Sequence, residues 1–170
     1  MYLVTLLVTL LVIAAICLAP ISKKVWVATA VIRATSLAAI TLAVMAFCNG
    51  SVDIDSFSTS IFGAESIAID RLSALFLVVI AVASIATVLY SKGYVAGYLN
   101  RYSAAHISLH YTALVVLVVS MMLVVISSGG FSFLFAWELM TIASFLLILF
   151  DAERQQVLRA ALAYLIMMHI

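Results

Sequence analysis

Phe131 to Phe150 reads FSFLFAWELMTIASFLLILF, an apolar stretch with one carboxylate, Glu138, and no basic residue. At about 20 residues it is long enough to cross the roughly 30 Å hydrocarbon layer of a bilayer as a helix. The carboxylate is the exception within it. A charged side chain at the centre of a membrane helix costs at least about 2.5 kcal/mol on insertion scales, so such residues mark ion or proton pathways or pair with other groups. If the helix begins at Gly130, Glu138 lies about 12 Å along it, close to the middle of the membrane.

The rest of the chain agrees with a membrane setting. Hydrophobic residues make up 68% of it and charged residues 9%, and the mean hydropathy is +1.35. A soluble domain has roughly 45 to 50% apolar residues. Further runs of spanning length lie near residues 1–19, 25–48, 71–89 and 111–127, before the quoted stretch at 130–150. A shorter run covers 157–170, where about 14 residues reach roughly 21 Å and fall short of the hydrocarbon thickness. The expected fold is an all-α, polytopic transmembrane bundle forming a single membrane domain over 1–170, with five full spans and a partial sixth. No basic residue precedes the first run, which ends at Pro20 before Lys23 and Lys24. A permanent first span fits this pattern better than a cleaved leader.

Loop charges set the expected orientation. Lys23 and Lys24 follow the first span, Lys92 and Arg101 the third, and Arg154 and Arg159 the fifth. The opposite side receives Asp53, Asp55, Glu65 and Asp70, with Arg71 the basic exception. By the positive-inside rule the Lys/Arg loops are cytoplasmic and the N-terminus is outside, with the chain a multi-pass protein of the cell's inner (plasma) membrane. In the outer loop at 49–70, Val52, Ile54 and Phe57 alternate with polar residues, and Gly63 separates them from a second such stretch, predicting a hairpin. Asp70 is placed to cap the helix that follows.

Several other residues could carry chemistry. Arg33 falls inside the second span, either as a partner for Glu138 or with its guanidinium snorkelling to the interface. His106 and His110 share a helical face at the mouth of the fourth span, where imidazoles could collect protons or stand as interfacial polar groups. They lack a visible third ligand for a metal. Tyr90, Tyr94, Tyr98 and Tyr102 fit an aromatic belt at headgroup level, and the repeat at 90, 94 and 98 also suits an amphipathic surface helix. Cys17 and Cys48 are expected to be free thiols. No phosphate loop, nucleophile triad, zinc spacing or haem attachment signal is present, so no catalytic residue is assigned.

Five stretches carry a resemblance: IDRLSALFL (69–77), YSKGYVAGY (90–98), HYTALVVLVVSMMLVV (110–125), FLFAWELMTIASFLLILFDAE (133–153) and RAALAYLIMMHI (159–170). Together they resemble the N-terminal part of the proton-pumping antiporter-like subunits of respiratory complex I, Mrp-type antiporters and membrane-bound hydrogenases. Through SMMLVV, WELMTIASFLLILF and YLIMMHI the chain looks most like component B of hydrogenase-4 and the corresponding formate hydrogenlyase subunit. The resemblance covers the chain from about the third span onward.

It implies that Trp137 and Glu138 match a proton-translocation motif, with the glutamate pairing to a lysine on a later helix. It also implies two inverted repeats in a longer chain, so this sequence is expected to be a fragment, a truncated gene product or one piece of a split subunit, inactive alone. The implied function is proton or sodium translocation in a respiratory oxidoreductase complex. Nickel-iron, iron-sulfur or flavin centres would sit in partner subunits and none in this chain. Expected partners are the lipid bilayer, other membrane subunits and a cytoplasmic redox arm, with no nucleic acid. The alternatives are a Mrp-type cation/proton antiporter subunit and a structural membrane subunit with Glu138 as a neutral packing residue.

Overall fold

The computed structural model describes residues 21–59, 63–98, 101–151 and 155–169. The expected first span with Cys17, and also Arg154, lie outside the described residues. Helix α1 (Ile21–Asn49) leads into strands β1 (Ser51–Thr59) and β2 (Gly63–Asp70). Helices α2 (Arg71–Ala96), α3 (Ala104–Ile126) and α4 (Gly130–Ile148) follow, then a 3-10 turn at Leu149–Asp151 and helix α5 (Gln155–His169). Among the described residues four helices are long and apolar enough to cross a membrane: Val25–Asn49 of α1, and α2, α3 and α4. The protein is therefore mostly helical and membrane-embedded. Helix α5, at 15 residues, reaches about 22 Å.

Helices α1, α2 and α3 pack through small side chains. Along α2 the buried positions Ala74, Leu77, Ala81, Ser84, Val88, Ser91 and Val95 alternate three and four residues apart, with Ile80 buried beside them. That spacing holds one seam against neighbouring helices at a shallow left-handed crossing. The other faces of α2 carry Leu72, Leu75, Phe76, Val79, Val82 and Leu89, all exposed. In a bilayer, lipid is as apolar as leucine and gives no hydrophobic reason to bury large side chains, so small residues that let backbones approach mark the contact face. Helix α1 supplies Ala28, Ile32, Ala39, Ala43 and Ala46, and α3 supplies Ile107, Tyr111, Leu114 and Val118. Buried hydroxyls on this seam are mostly satisfied within the bundle. Ser84 donates to Ile80 O at 2.7 Å, and Ser91 Oγ lies 3.2 Å from Tyr111 OH.

The predicted hairpin forms. Strands β1 and β2 pair antiparallel from Ser51 opposite Asp70 to Thr59 opposite Gly63, with an irregularity between Asp53 and Asp55. Gly50 at φ +88° turns the chain out of α1, a conformation that glycine adopts without steric cost. Asp70 caps α2 by accepting from Ser73 N at 2.6 Å. The short interaction with that N–H holds its carboxyl below the usual carboxylate range. The hairpin is anchored over the α3–α4 turn by Ser128 N donating to Ser66 O at 3.0 Å and by an Ile67–Ser127 bridge. Ser73 Oγ donates to Val125 O at 3.0 Å, tying α2 to the end of α3.

Three boundaries differ from the sequence reading. Helix α2 runs to Ala96 rather than stopping near 89, so Tyr90, Lys92 and Tyr94 ride on the spanning helix itself and not on a separate surface helix. Hydropathy falls at Tyr90, but nothing there breaks the backbone hydrogen bonds until Gly97 at the C-cap. Helix α3 begins at Ala104, about two turns before the expected residue 111, because Ser103 caps its first turn by accepting from His106 N. Helix α4 gives way at Leu149 to a single 3-10 turn.

Candidate proton-exchange site

Glu138 stands on α4, which receives much less cover from the rest of the molecule than α2 or α3 does: 17% of its most apolar stretch is buried, against 33% of theirs. Its partner is on α5. Helix α5 runs back along α4 and brings His169 opposite Glu138. His169 Nε2 lies 2.9 Å from Glu138 Oε2, with the side chains of His169 and Glu138 38% and 51% exposed.

The second ring nitrogen fixes the proton arrangement. His169 Nδ1 lies 2.8 Å from Leu165 O, and a carbonyl oxygen can only accept, so Nδ1 carries a hydrogen. One more proton then lies between Nε2 and Oε2. If it is on nitrogen, an imidazolium faces a carboxylate; if it is on oxygen, a neutral carboxyl donates to a neutral imidazole. The two forms have the same total charge and differ by the transfer of one proton across a single hydrogen bond. Because Leu165 precedes His169 by one helical turn, α5's own backbone orients the ring that faces Glu138.

The neighbouring residues are apolar. Trp137 is exposed next to Glu138, its ring 6.0 Å from that of Phe133. The part of α3 that runs beside this half of α4, Thr112 to Ile126, carries no titratable side chain. Arg33 is exposed on α1 and has no ion-pair partner among the described residues. The group that meets Glu138 is thus an imidazole from α5, not the Arg33 guanidinium.

His106 and His110 belong to a different cluster. Residues 90, 94, 98, 102, 106 and 110 form a series of four tyrosines and two histidines at intervals of four, running from the end of α2 through the connecting turn into α3. Successive rings lie 6.1, 5.0, 5.6 and 4.5 Å apart from Tyr90 to His106. Phe150 of the 3-10 turn, almost wholly buried, meets Tyr98, Tyr102, His106 and His110 at 5.6, 5.2, 5.1 and 4.4 Å between ring centres. His106 Nε2 donates to Phe150 O at 2.9 Å.

This cluster clamps the 3-10 turn against the start of α3 and so sets the course on which α5 returns. It lies about 18 Å along the α4 axis from Glu138. His110 Nδ1 is buried and has no hydrogen-bond partner among the described residues. No group of three metal-ligating side chains occurs among the described residues. Cys48 is exposed with a free thiol.

Sequence reasoning missed the role of His169, which lies 31 residues from Glu138. A usable signal existed. In sequence the midpoint between the two falls between α4 and α5, which is where two residues at equal height on an antiparallel helix pair must be centred. Ser144 and Tyr164, in hydrogen-bond contact, are centred on the same loop. No protein-family model matches the chain, and no curated protein matches its sequence.

Proposed function

We propose that the chain is a proton-translocating membrane subunit of a respiratory oxidoreductase complex of the hydrogenase-4 or NADH dehydrogenase type. The observation that carries this reading is the Glu138–His169 hydrogen bond on apolar helices. A carboxyl and an imidazole that share one proton can take up a second or release the one they hold, as a relay requires. The imidazole favours protons over sodium, because a ring nitrogen is a proton acceptor and sodium prefers oxygen ligands. The pair is also half exposed on helices that cross or enter the bilayer. Charged groups at that depth are covered by protein or lie along water rather than facing lipid, which supports further membrane subunits packing on this side of α4.

The reading includes five full spans with a partial sixth, the N-terminus outside and the Lys/Arg loops in the cytoplasm. Lys92 in the last turns of α2, Arg101 just before α3 and Arg159 in the first turns of α5 lie toward the end of the bundle opposite the hairpin, a clustering of positive charge that supports this orientation. Nickel-iron, iron-sulfur or flavin centres would then belong to partner subunits in a cytoplasmic arm, with the complex in the inner membrane. A Mrp-type antiporter subunit would use the same pair without a redox partner. In a purely structural subunit the pair would serve as a clasp between α4 and α5.

The test is infrared difference spectroscopy of the full chain in liposomes as pH is changed, following the carboxyl stretch. A titrating band that disappears in Glu138→Gln and is insensitive to sodium concentration is the expected result. A band unchanged by that substitution would overturn the relay reading and leave Glu138 as a packing residue. Sodium-dependent displacement of the band would shift the reading to a sodium-coupled subunit.

A further inference from the structure

Arg33 stands well inside the apolar part of α1, which begins at Val25, and its guanidinium is not taken up by Glu138. Trp26, Arg33, Leu37 and Val44 follow one another at intervals of seven, four and seven residues. With 3.6 residues per turn this keeps them within about 20° of a single line along the helix. All four are exposed. Ala28, Ile32, Ala39, Ala43 and Ala46, the residues that α1 buries in the core, lie on the opposite side, so Arg33 faces away from the bundle.

Side-chain size tells what covers this outer face. The seam between the helices is rich in alanine and serine, whereas the face around Arg33 carries Trp26, Leu37 and Val44, with Met45 and Phe47 on its flanks. Small residues inside and large apolar ones outside are the arrangement of a surface turned to lipid. A guanidinium there needs an anion, and no carboxylate pairs with it among the described residues.

We propose that Arg33 binds the phosphate of an anionic phospholipid in the leaflet at the Lys23–Lys24 end of α1, with the Trp26 ring beside the same headgroup. This inference is independent of the role of Glu138. The helix rises about 22 Å from Arg33 to Cys48. With Cys48 at the far boundary of a hydrocarbon layer roughly 30 Å thick, about 8 Å of that layer remains on the other side of Arg33. Cα–Cβ bonds tilt toward the helix N-terminus, so the arginine stem leaves the backbone in that direction and carries its head toward the phosphates. Trp26, about 10 Å further along the axis, stands at the interface itself, where indole rings collect. The guanidinium fork matches two phosphate oxygens. Lys23 and Lys24 precede Trp26 in the chain, and their added positive charge favours a lipid with net negative charge over a zwitterionic one.

The chain has two tryptophans, so Trp137→Phe leaves Trp26 as a local reporter. The full chain carrying that change is placed in phosphatidylcholine liposomes containing either brominated phosphatidylglycerol or brominated phosphatidylcholine, and quenching of Trp26 fluorescence is measured. Phosphatidylglycerol is expected to quench more at equal mole fraction. Arg33→Leu is expected to lower its relative binding about fivefold, the share of one basic residue near an anionic surface, and Arg33→Lys, which keeps the charge without the fork, to fall between. Equal quenching by the two lipids with Arg33 in place overturns the proposal, and so does a preference that survives Arg33→Leu, which would belong to the lysines. Protection of Trp26 from both lipids also overturns it, because a protein helix then covers this face.

Discussion

Helices α1, α2 and α3 and the pair α4 and α5, of which α4 packs along α3, are built from almost equally apolar sequence, yet they place their polar groups differently. In the three-helix bundle the buried hydroxyls of Ser84 and Ser91 are satisfied by their own helix or an adjoining one, and the contact seam is rich in alanines and serines. Along α4 and α5 the buried share is small, and the interhelical contacts include a hydroxyl pair and a carboxyl–imidazole pair. Lipid can cover the outer face of the first region. It cannot cover a half-exposed carboxylate or imidazolium at mid-membrane depth without a cost of several kcal/mol. The first region therefore reads as a scaffold, and the second holds the candidate site.

The comparison breaks most readily at a pair of leucines. Leu77, buried on α2, is expected to cost about 2–5 kcal/mol when replaced by alanine, whereas Leu134→Ala, at an exposed position on α4, is expected to leave stability within about 0.5 kcal/mol of the parent. Unfolding by denaturing detergent in mixed micelles measures both. Equal losses would mean that α4 is as tightly packed as α2 and that the division into scaffold and site is wrong.

A second experiment sharpens the site. If Glu138 and His169 act as one unit, His169→Asn removes proton uptake to the same degree as Glu138→Gln, and the double variant stays within about twofold of either single variant. Proton uptake by the reconstituted chain after an acid pulse reads this directly. Additive losses would mean that the two residues act separately.

The smallest effect concerns the scaffold's own carboxylate. Asp70 is held below its ordinary range by Ser73, so its folded-state value lies below the unfolded one. The stability from this cap is present above the unfolded value near 3.8 and is lost as pH falls through the lower folded value. Thermal melts at descending pH are expected to show a small added loss of stability that Asp70→Asn abolishes. A loss that persists in that variant would assign it to other carboxylates.

The membrane class and the spans now seen as helices were legible because a run of about 20 apolar residues matches the thickness of a bilayer and is rare in soluble domains. The hairpin was legible from alternation around Gly63, and the Asp70 cap from its position before the apolar run. Helix ends were less so. Hydropathy responds to Tyr90, Lys92 and His106, whereas the backbone responds to caps and breakers, which lie at Gly97 and Ser103. Contact faces were also hidden, since α2 is apolar all round and only the spacing of Ala74, Ala81, Ser84 and Ser91 distinguishes one side.

By itself the sequence determined that this chain enters a membrane and that Glu138 needs a reason to be there. Both follow from transfer free energies that depend on residue type and run length alone. The tertiary structure decided what Glu138 meets. His169 lies 31 residues away, and the two come together because Phe150 fills the space beside the tyrosine–histidine series, the 3-10 turn is held against α3, and α5 returns along α4. A contact of that kind depends on the direction in which a chain leaves a turn, which packing against a third helix sets and local sequence does not.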